Sequence, residues 1–470
     1  MKFLCAFKKI VVCAALICLF CIRGLDFQQT NAYADNENAS VYERIDAYLF
    51  DAQAKAHFPA MSVTIVGRED VLFSKTYGNC ESTEAPFLLG SVSKSFTALC
   101  IMQLAEQGKL RLDSLISEYL PEATEEITVR QLLNHTGGLG EHQNLENYKI
   151  VGQQGVHLYA NVNYSLLGKI IEAVSGQSYE EYVTENVFKP LDMSHSAAAE
   201  NSELIDGHRN WFGFQAKTAP KYPKDDSAWI TVPAGYLSAS TADLGKYLQM
   251  YLKGGQGIIS QDSIEKMFYE NVRVDASIPY SYGMGWTLIN EPLREPALRH
   301  SGLVETGMST IYILPEREVG IAIAVNTNDY FVGKDLFDRI DWSIALMLMG
   351  DEPNQISGSE YITRHILYDL AYLSVFAASV LPLCMLPFYQ KRLKKGRAAF
   401  KIAEVTLLHL ILPLFLLLLP QIFFATPLWV VRAFVPDMFA VIMTSSALLF
   451  LGGVIKPLLF LKAYKKRGRE

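Results

Sequence analysis

Ser91 and Lys94 stand three residues apart in "GSVSKSFTALCIMQL", a spacing that puts a hydroxyl and an amine on one face of a helix. An amine held there can take the hydroxyl proton and turn the serine into a nucleophile. The same spacing recurs in "SQDSIEKMF", at Ser263 and Lys266, so spacing alone decides nothing. The settings differ. Ser263 and Lys266 follow a candidate N-cap, Ser260, and point from an amphipathic stretch. Ser91 follows Gly90 directly, and the segment behind it is apolar nearly all round, the mark of a buried helix whose first turn would strip water from Lys94. Desolvation matters because an ordinary lysine, with a pKa of about 10.4, is neutral in only roughly one molecule in a few thousand at pH 7. Local chemistry leaves two readings open: a nucleophile with its base, or a serine that caps the helix beside a lysine that snorkels to solvent.

The elements that must position these residues read as follows. A helix is expected in "YERIDAYLFDAQAKAHF", then two strands about a turn in "AMSVTIVGREDVLFSKTYGN". Further helices are expected at "TVRQLLNHTGG", stopped by Gly137, at "NYSLLGKIIEAVSGQ", stopped by Gly176, and at "SQDSIEKMFYE". Strands return in "SYGMGWTLIN", "ALRHSG" and "GMSTIYILPEREVGIAIAVNTN", with "PERE" as a hairpin tip, followed by a helix from about Asp335 to Met349. Strands at both ends with helices between imply one sheet built from distant segments and a helical insertion packed beside it.

At this point a resemblance emerges. "LLGSVSKSFTALCIMQLAEQGKLRLDSLISEYLP" resembles the first motif of the serine β-lactamase and penicillin-binding protein superfamily, in its class C-like branch. "ITVRQLLNHTGGLGE" resembles the landmark that follows it there, and the likeness runs over roughly residues 45 to 350. It implies an α/β (α+β) fold of the β-lactamase/DD-peptidase type, an antiparallel sheet flanked by helices with a helical subdomain. The second motif of that superfamily is Tyr-x-Asn, for which Tyr77–Asn79, Tyr159–Asn161 and Tyr269–Asn271 are candidates. Only Tyr159 and Asn161 come after the Ser-Lys helix and directly before another helix, as the resemblance requires. The third motif, often His-x-Gly in this branch, matches "HTG" at His135 and "HSG" at His300; the β-branched pattern after His300 favours the latter, and His135, at a helix end, reads as structural.

The resemblance then implies roles. Ser91 would attack a carbonyl to form an acyl-enzyme, with Lys94 and Tyr159 sharing the proton shuttle and each lowering the other's pKa. Asn161 would bind the substrate amide, the N–H groups of Ser91 and Leu303 would form an oxyanion hole, and Gly302 would keep its strand open for substrate. His300 could meet a carboxylate, less firmly than a lysine because histidine is only partly charged at neutral pH. No Glu-x-x-x-Asn occurs in the chain, so deacylation would rest on Tyr159 and Lys94. The implied substrates are cell-wall D-alanyl peptides or esters, then β-lactams or small esters. A receptor acylated by β-lactams is the reading from another class; an inactive binding module conflicts with three complete motifs.

Hydropathy divides the rest. "MKFLCAFKKIVVCAALICLFCIRG", with "AYA" at Ala32–Ala34, reads as a secretory signal peptide over residues 1–34. Residues 35–365 read as the hydrolase domain and 366–470 as a membrane region with spans near Ile366–Tyr389, Phe400–Phe424 and Met438–Leu461. The basic segments "QKRLKKGR" and "KAYKKRGRE" place that loop and tail in the cytoplasm and the hydrolase domain outside, as part of a multi-pass protein of the cell membrane. Glu404 and Lys456 fall at the same depth, a spacing that predicts a pair. Residues 35–365 carry 25 Lys and Arg against 44 Asp and Glu, a formal charge of −19, which argues against nucleic acid as a partner. Only Cys80 and Cys100 lie in that region; they could form one disulfide, and without ligand-spaced Cys or His neither a metal nor another cofactor is expected. Oligomeric state stays open.

Overall fold

The computed structural model describes residues 40–392 and 398–467; the expected signal peptide and part of the basic loop after Tyr389 lie outside them. The described chain forms two compact units. One takes the chain to Arg209 and Gln215–Ile356, the other Asn210–Phe214 and the chain from Ser357 on.

In the first unit, eight strands make one antiparallel sheet: β1 (Ala60–Val66), β2 (Val71–Gly78), β3 (Val272–Arg273), β4 (Tyr280–Gly283), β5 (Trp286–Ile289), β6 (Ala297–Val304), β7 (Gly307–Leu314) and β8 (Val319–Val325). Their order, β2-β1-β8-β7-β6-β5-β4-β3, joins the N-terminal hairpin to the C-terminal meander through β1 and β8. Every residue of β1, β7 and β8 is buried, so "GIAIAV" reads as an unbroken apolar run rather than an alternation. Helices cover the sheet: α1 (Val41–Lys55) packs on β2, α4 (Thr241–Leu252) on β1 and β8, and α5 (Gly333–Leu348) on β7 and α1. "PERE" is the β7–β8 tip, turned by Glu318 in the left-handed region.

Beside the sheet, α2 (Ser93–Glu106) and α3 (Asn161–Ser175) share one apolar core with the segments around residues 179–193 and 237–268. The helix expected to end at Gly137 is shorter, Val129–Leu133. It breaks two residues earlier than the glycine, because His135 itself adopts a left-handed backbone, φ 56°. Gly176 does stop α3, with φ 72°. Cys80 and Cys100 are both buried free thiols, so the disulfide considered from the sequence is not formed.

Among the described residues, the second unit contains three helices long and apolar enough to cross a membrane: α6 (Glu360–Cys384), α7 (Ala399–Phe424), whose middle is a π turn at Leu407–Ile411, and α8 (Pro436–Ala463). Lys456 Nζ donates to Glu404 Oε1 at 2.7 Å, as their common depth predicts. The imidazole of His409 lies against Gly452, where a methyl group would come within 2.3 Å of Cε1. A polar pair and a glycine-backed ring specify which helix faces meet where lipid supplies no hydrophobic drive for association.

Candidate active site

The site begins with a turn and a buried helix. Gly90–Val92 form one 3-10 turn that runs into α2, and every residue of α2 from Ser93 to Leu104 is buried. The first turn of α2 receives no side-chain cap. Ser91 Oγ is therefore not a capping group. It accepts instead from Lys94 Nζ at 3.0 Å and from Tyr159 OH at 2.8 Å. Lys94 does not snorkel either, since its exposure is 0%. Packing thus removes the cap-and-snorkel reading of this Ser-x-x-Lys and leaves the two groups in contact.

Three acceptors surround the lysine nitrogen: Ser91 Oγ, Asn161 Oδ1 at 2.8 Å and the carbonyl of Ala234 at 2.7 Å. No carboxylate pairs with it among the described residues. Burial without a counter-charge drives the Lys94 pKa well below its ordinary value. A neutral amine has two N–H donors and one lone pair; its donors would then serve Asn161 Oδ1 and Ala234 O, and the Ser91 contact would reverse, the hydroxyl donating to the lone pair. Burial acts in the opposite sense on Tyr159, pushing its phenol up, with the Ser91 hydrogen bond opposing. The expectation that lysine and tyrosine lower one another by charge gives way to burial, which lowers the lysine and raises the tyrosine.

Asn161 opens α3 and is buried, its carbonyl oxygen turned to Lys94, which leaves its amide N–H groups free to donate. Tyr159 precedes it on the loop entering that helix. The other Tyr-x-Asn candidates lie elsewhere: Tyr77 bonds Asp46 from β2, and Tyr269 is an exposed residue at the end of the Ser263 helix.

His300, Gly302 and Leu303 all lie on β6, which borders the turn carrying Ser91. A methyl group on Gly302 would sit 1.9 Å from Leu89 O and 2.8 Å from Ser91 N. One on Gly90, which has φ 54°, would sit 2.3 Å from Leu303 N. The two glycines therefore let the backbones of Leu89–Ser91 and Gly302–Leu303 come together, bringing the Ser91 and Leu303 N–H groups to adjacent places. Gly302 serves this close approach of two backbones rather than only an open strand for substrate.

His300 is buried, and both of its nitrogens are engaged within the protein. Nδ1–H donates to Ser301 O at 2.9 Å, and Nε2 accepts from Tyr282 OH at 3.1 Å. Burial above all pushes its pKa down to about 3. A ring so held is neutral, so it offers no cation to a carboxylate.

Three contributors carry no sequence signal. Ala234 acts through its carbonyl, and backbone groups leave no residue-type signature. Ser309 Oγ donates to Leu89 O at 2.6 Å, holding the turn before the nucleophile candidate. Tyr282 was legible only as part of a strand, yet it joins His300, His135 and His157 in a ring cluster behind Tyr159.

The sequence and the fold are similar to those of known proteins. The beta-lactamase family profile matches residues 45–341. Protein flp of Staphylococcus aureus (strain MRSA252) is 28% identical over 327 residues, 62% of this chain and 64% of that protein. The putative penicillin-binding protein PbpX of Bacillus subtilis (strain 168) is 33% identical over 216 residues, 43% of this chain and 53% of that one. The chain thus spans just under two thirds of the staphylococcal relative. Among solved structures, the octameric penicillin-binding protein homologue from Pyrococcus abyssi superposes with a TM-score of 0.58 and 27% identity, over 68% of this chain and 80% of that one. The D-alanine carboxypeptidase AmpC from Burkholderia cenocepacia shares the fold at a TM-score of 0.53 and 18% identity, over 64% of this chain and 99% of its own. With the profile covering more than half of the sequence and the serine, lysine and tyrosine gathered at one point, the chain belongs to the beta-lactamase family, within the superfamily of serine β-lactamases and penicillin-binding proteins.

Proposed function

We propose that this protein is a membrane-anchored serine hydrolase that works through an acyl-enzyme on Ser91, with its catalytic domain on the extracytoplasmic side. The observation that carries the reading is the contact of Ser91 Oγ with both Lys94 Nζ and Tyr159 OH. Neutral Lys94 takes the Ser91 proton as Oγ bonds to the substrate carbonyl carbon, and the carbonyl electron pair moves onto oxygen, which the N–H groups of Ser91 and Leu303 receive. Collapse of that adduct expels the leaving group, which takes a proton delivered through Tyr159. Water then attacks the ester, and Lys94 and Tyr159 return the protons in reverse order. Asn161 orients the substrate by donating its amide hydrogens.

The favoured substrates are D-alanyl peptides or esters of the cell wall, followed by β-lactams. Support comes from the named relatives, a penicillin-binding protein homologue and a D-alanine carboxypeptidase among them. Neutral His300 weighs against strict dependence on a free substrate carboxylate and so keeps esters in view. Orientation rests on the basic segments "QKRLKKGR" and "KAYKKRGRE". The test is to give the detergent-solubilised full chain a fluorescent penicillin, D-Ala-D-Ala peptides and a chromogenic ester, beside Ser91→Ala. Labelling or turnover lost in Ser91→Ala supports the assignment. Activity that survives the substitution sinks it, and turnover of the ester alone moves the protein to the esterases.

A further inference from the structure

His135 is the residue whose cost to the fold is hardest to explain by packing. Its backbone is left-handed, φ 56°, a region where a non-glycine residue is strained. It is fully buried, and its Nε2 finds no hydrogen-bond partner among the described residues. An asparagine would suit that backbone better, and a phenylalanine would avoid the orphaned nitrogen. Two costs retained at one residue point to a task that neither replacement performs.

The contacts of His135 define the task, because they converge on the segment carrying Tyr159. The carbonyl of His135 accepts from Leu158 N at 2.8 Å, one residue before the tyrosine. Its Nδ1 accepts from Ala160 N at 3.3 Å, one residue after it. Asn163 Nδ2 donates to the same Nδ1 at 3.0 Å and to Ala160 O at 3.1 Å, which ties the bracket to the first turn of α3. The imidazole then lies against the Tyr159 ring, centroids 4.3 Å apart and planes inclined by 39°. Tyr159 is held on both sides along the chain and from behind. These contacts require a ring that is neutral and unprotonated at Nδ1, and burial provides this by pushing the imidazole pKa well down.

We propose that His135 is a positioning residue for Tyr159: it clamps the tyrosine loop through its carbonyl and Nδ1 and props the phenol ring so that the hydroxyl stays on Ser91 Oγ. The proposal rests on the reading of Ser91 and Tyr159 as reacting groups. The short helix Val129–Leu133 and the turn at "HTG" then have a purpose, which is to deliver one imidazole to the loop before α3.

The experiment uses the full chain in detergent. His135→Asn keeps a side-chain acceptor and a backbone tolerant of the left-handed region but removes the ring face. His135→Phe keeps a ring face but removes the acceptor. Melting temperature, kcat, KM and the rate of Ser91 labelling by a fluorescent penicillin are measured for both, for Tyr159→Phe and for the His135→Asn, Tyr159→Phe double variant. The expected result is a folded His135→Asn protein whose labelling rate and kcat fall by roughly tenfold to a hundredfold, with KM within about twofold, since small misplacement of an acid–base group costs on this scale. The double variant is expected to be no slower than Tyr159→Phe alone, because a misplaced group that is already absent has nothing left to lose. Independent, multiplying losses would overturn the proposal, as would loss that only tracks the unfolded fraction in both His135 variants. If Tyr159→Phe retains full activity, the underlying reading of the site fails instead, which the same panel reveals.

Discussion

The chain contains the same four-residue pattern twice, and the two copies have opposite fates. At Ser263 and Lys266 the helix is capped by Ser260, whose Oγ accepts from Ser263 N at 3.2 Å, and Lys266 Nζ reaches Asp262 at 2.5 Å on a surface where its side chain is 43% exposed. At Ser91 and Lys94 there is no cap and, among the described residues, no carboxylate, and the fully buried lysine contacts three neutral groups instead. The carboxylate beside Lys266 raises its pKa, whereas burial lowers that of Lys94. A third lysine separates the two variables. Lys456 is nearly as buried as Lys94, 3% exposed, yet it faces the carboxylate of Glu404. Two lysines buried to a similar extent thus differ in what faces them, a carboxylate at Lys456 and neutral groups at Lys94.

The comparison can be broken most sharply at the nucleophile. Ser91→Ala and Lys94→Met should each lower turnover by on the order of 10⁴-fold or more, whereas Ser263→Ala and Lys266→Met should leave it within about twofold, measured on whichever substrate the wild type turns over. Loss of turnover in the Ser263 helix would show that the wrong pair had been chosen.

A second test uses acid. His300, His135 and His157 are all held below the ordinary histidine range by burial, so the unfolded chain binds protons that the native fold refuses. Their contribution is complete above about pH 6.5 and declines as pH falls toward about 3, where His300 itself titrates. Lys94 adds to the same slope, because its lowered pKa makes folding favour the neutral amine as pH rises. Lys266 works in reverse: its gain is present below the unfolded lysine pKa and is lost as pH rises through the raised one. Denaturant midpoints across pH should rise from pH 3 to 7 in the wild type, and a flat profile would contradict the neutral cluster. Turnover, if it needs the unprotonated amine, should rise with pH along a limb that lies well below the ordinary lysine pKa.

Smaller effects test the surroundings. Gly302→Ala forces a methyl group to within 1.9 Å of Leu89 O and should cost about 1–3 kcal/mol of stability, seen in chemical denaturation, together with most of the activity. In the membrane unit, Glu404→Lys and Lys456→Glu should each destabilise the bundle, and the double exchange should recover roughly 0.5–2 kcal/mol by restoring the pair. A double exchange no more stable than either single change would remove the pair from the account of the bundle.

Much of the architecture was legible from residue order. The apolar run of β8, the "PERE" tip, Gly176 after α3 and the three membrane-length helices all follow from periodicity and turn chemistry, which are local. The "HTG" segment was misjudged for a local reason too: a glycine normally stops a helix, but His135 is held in the left-handed region by bonds to residues 158–163, which no short window contains. The same limit applied to His300. As a letter in "HSG" it suggested a partner for substrate, but its hydrogen bonds to Tyr282 and Ser301 O turn it into a neutral internal link.

What the sequence determined by itself was the set of candidates: two Ser-x-x-Lys helices, three Tyr-x-Asn triplets, two His-x-Gly triplets and a matched pair of membrane charges. Choice among them belonged to the tertiary structure. Of the two serines, Ser91 is the one whose neighbouring lysine is buried with no carboxylate beside it among the described residues. That condition depends on Asn161, Ala234 and Tyr159, which stand 65 to 140 positions away from Lys94 along the chain and meet it only when α2 is buried.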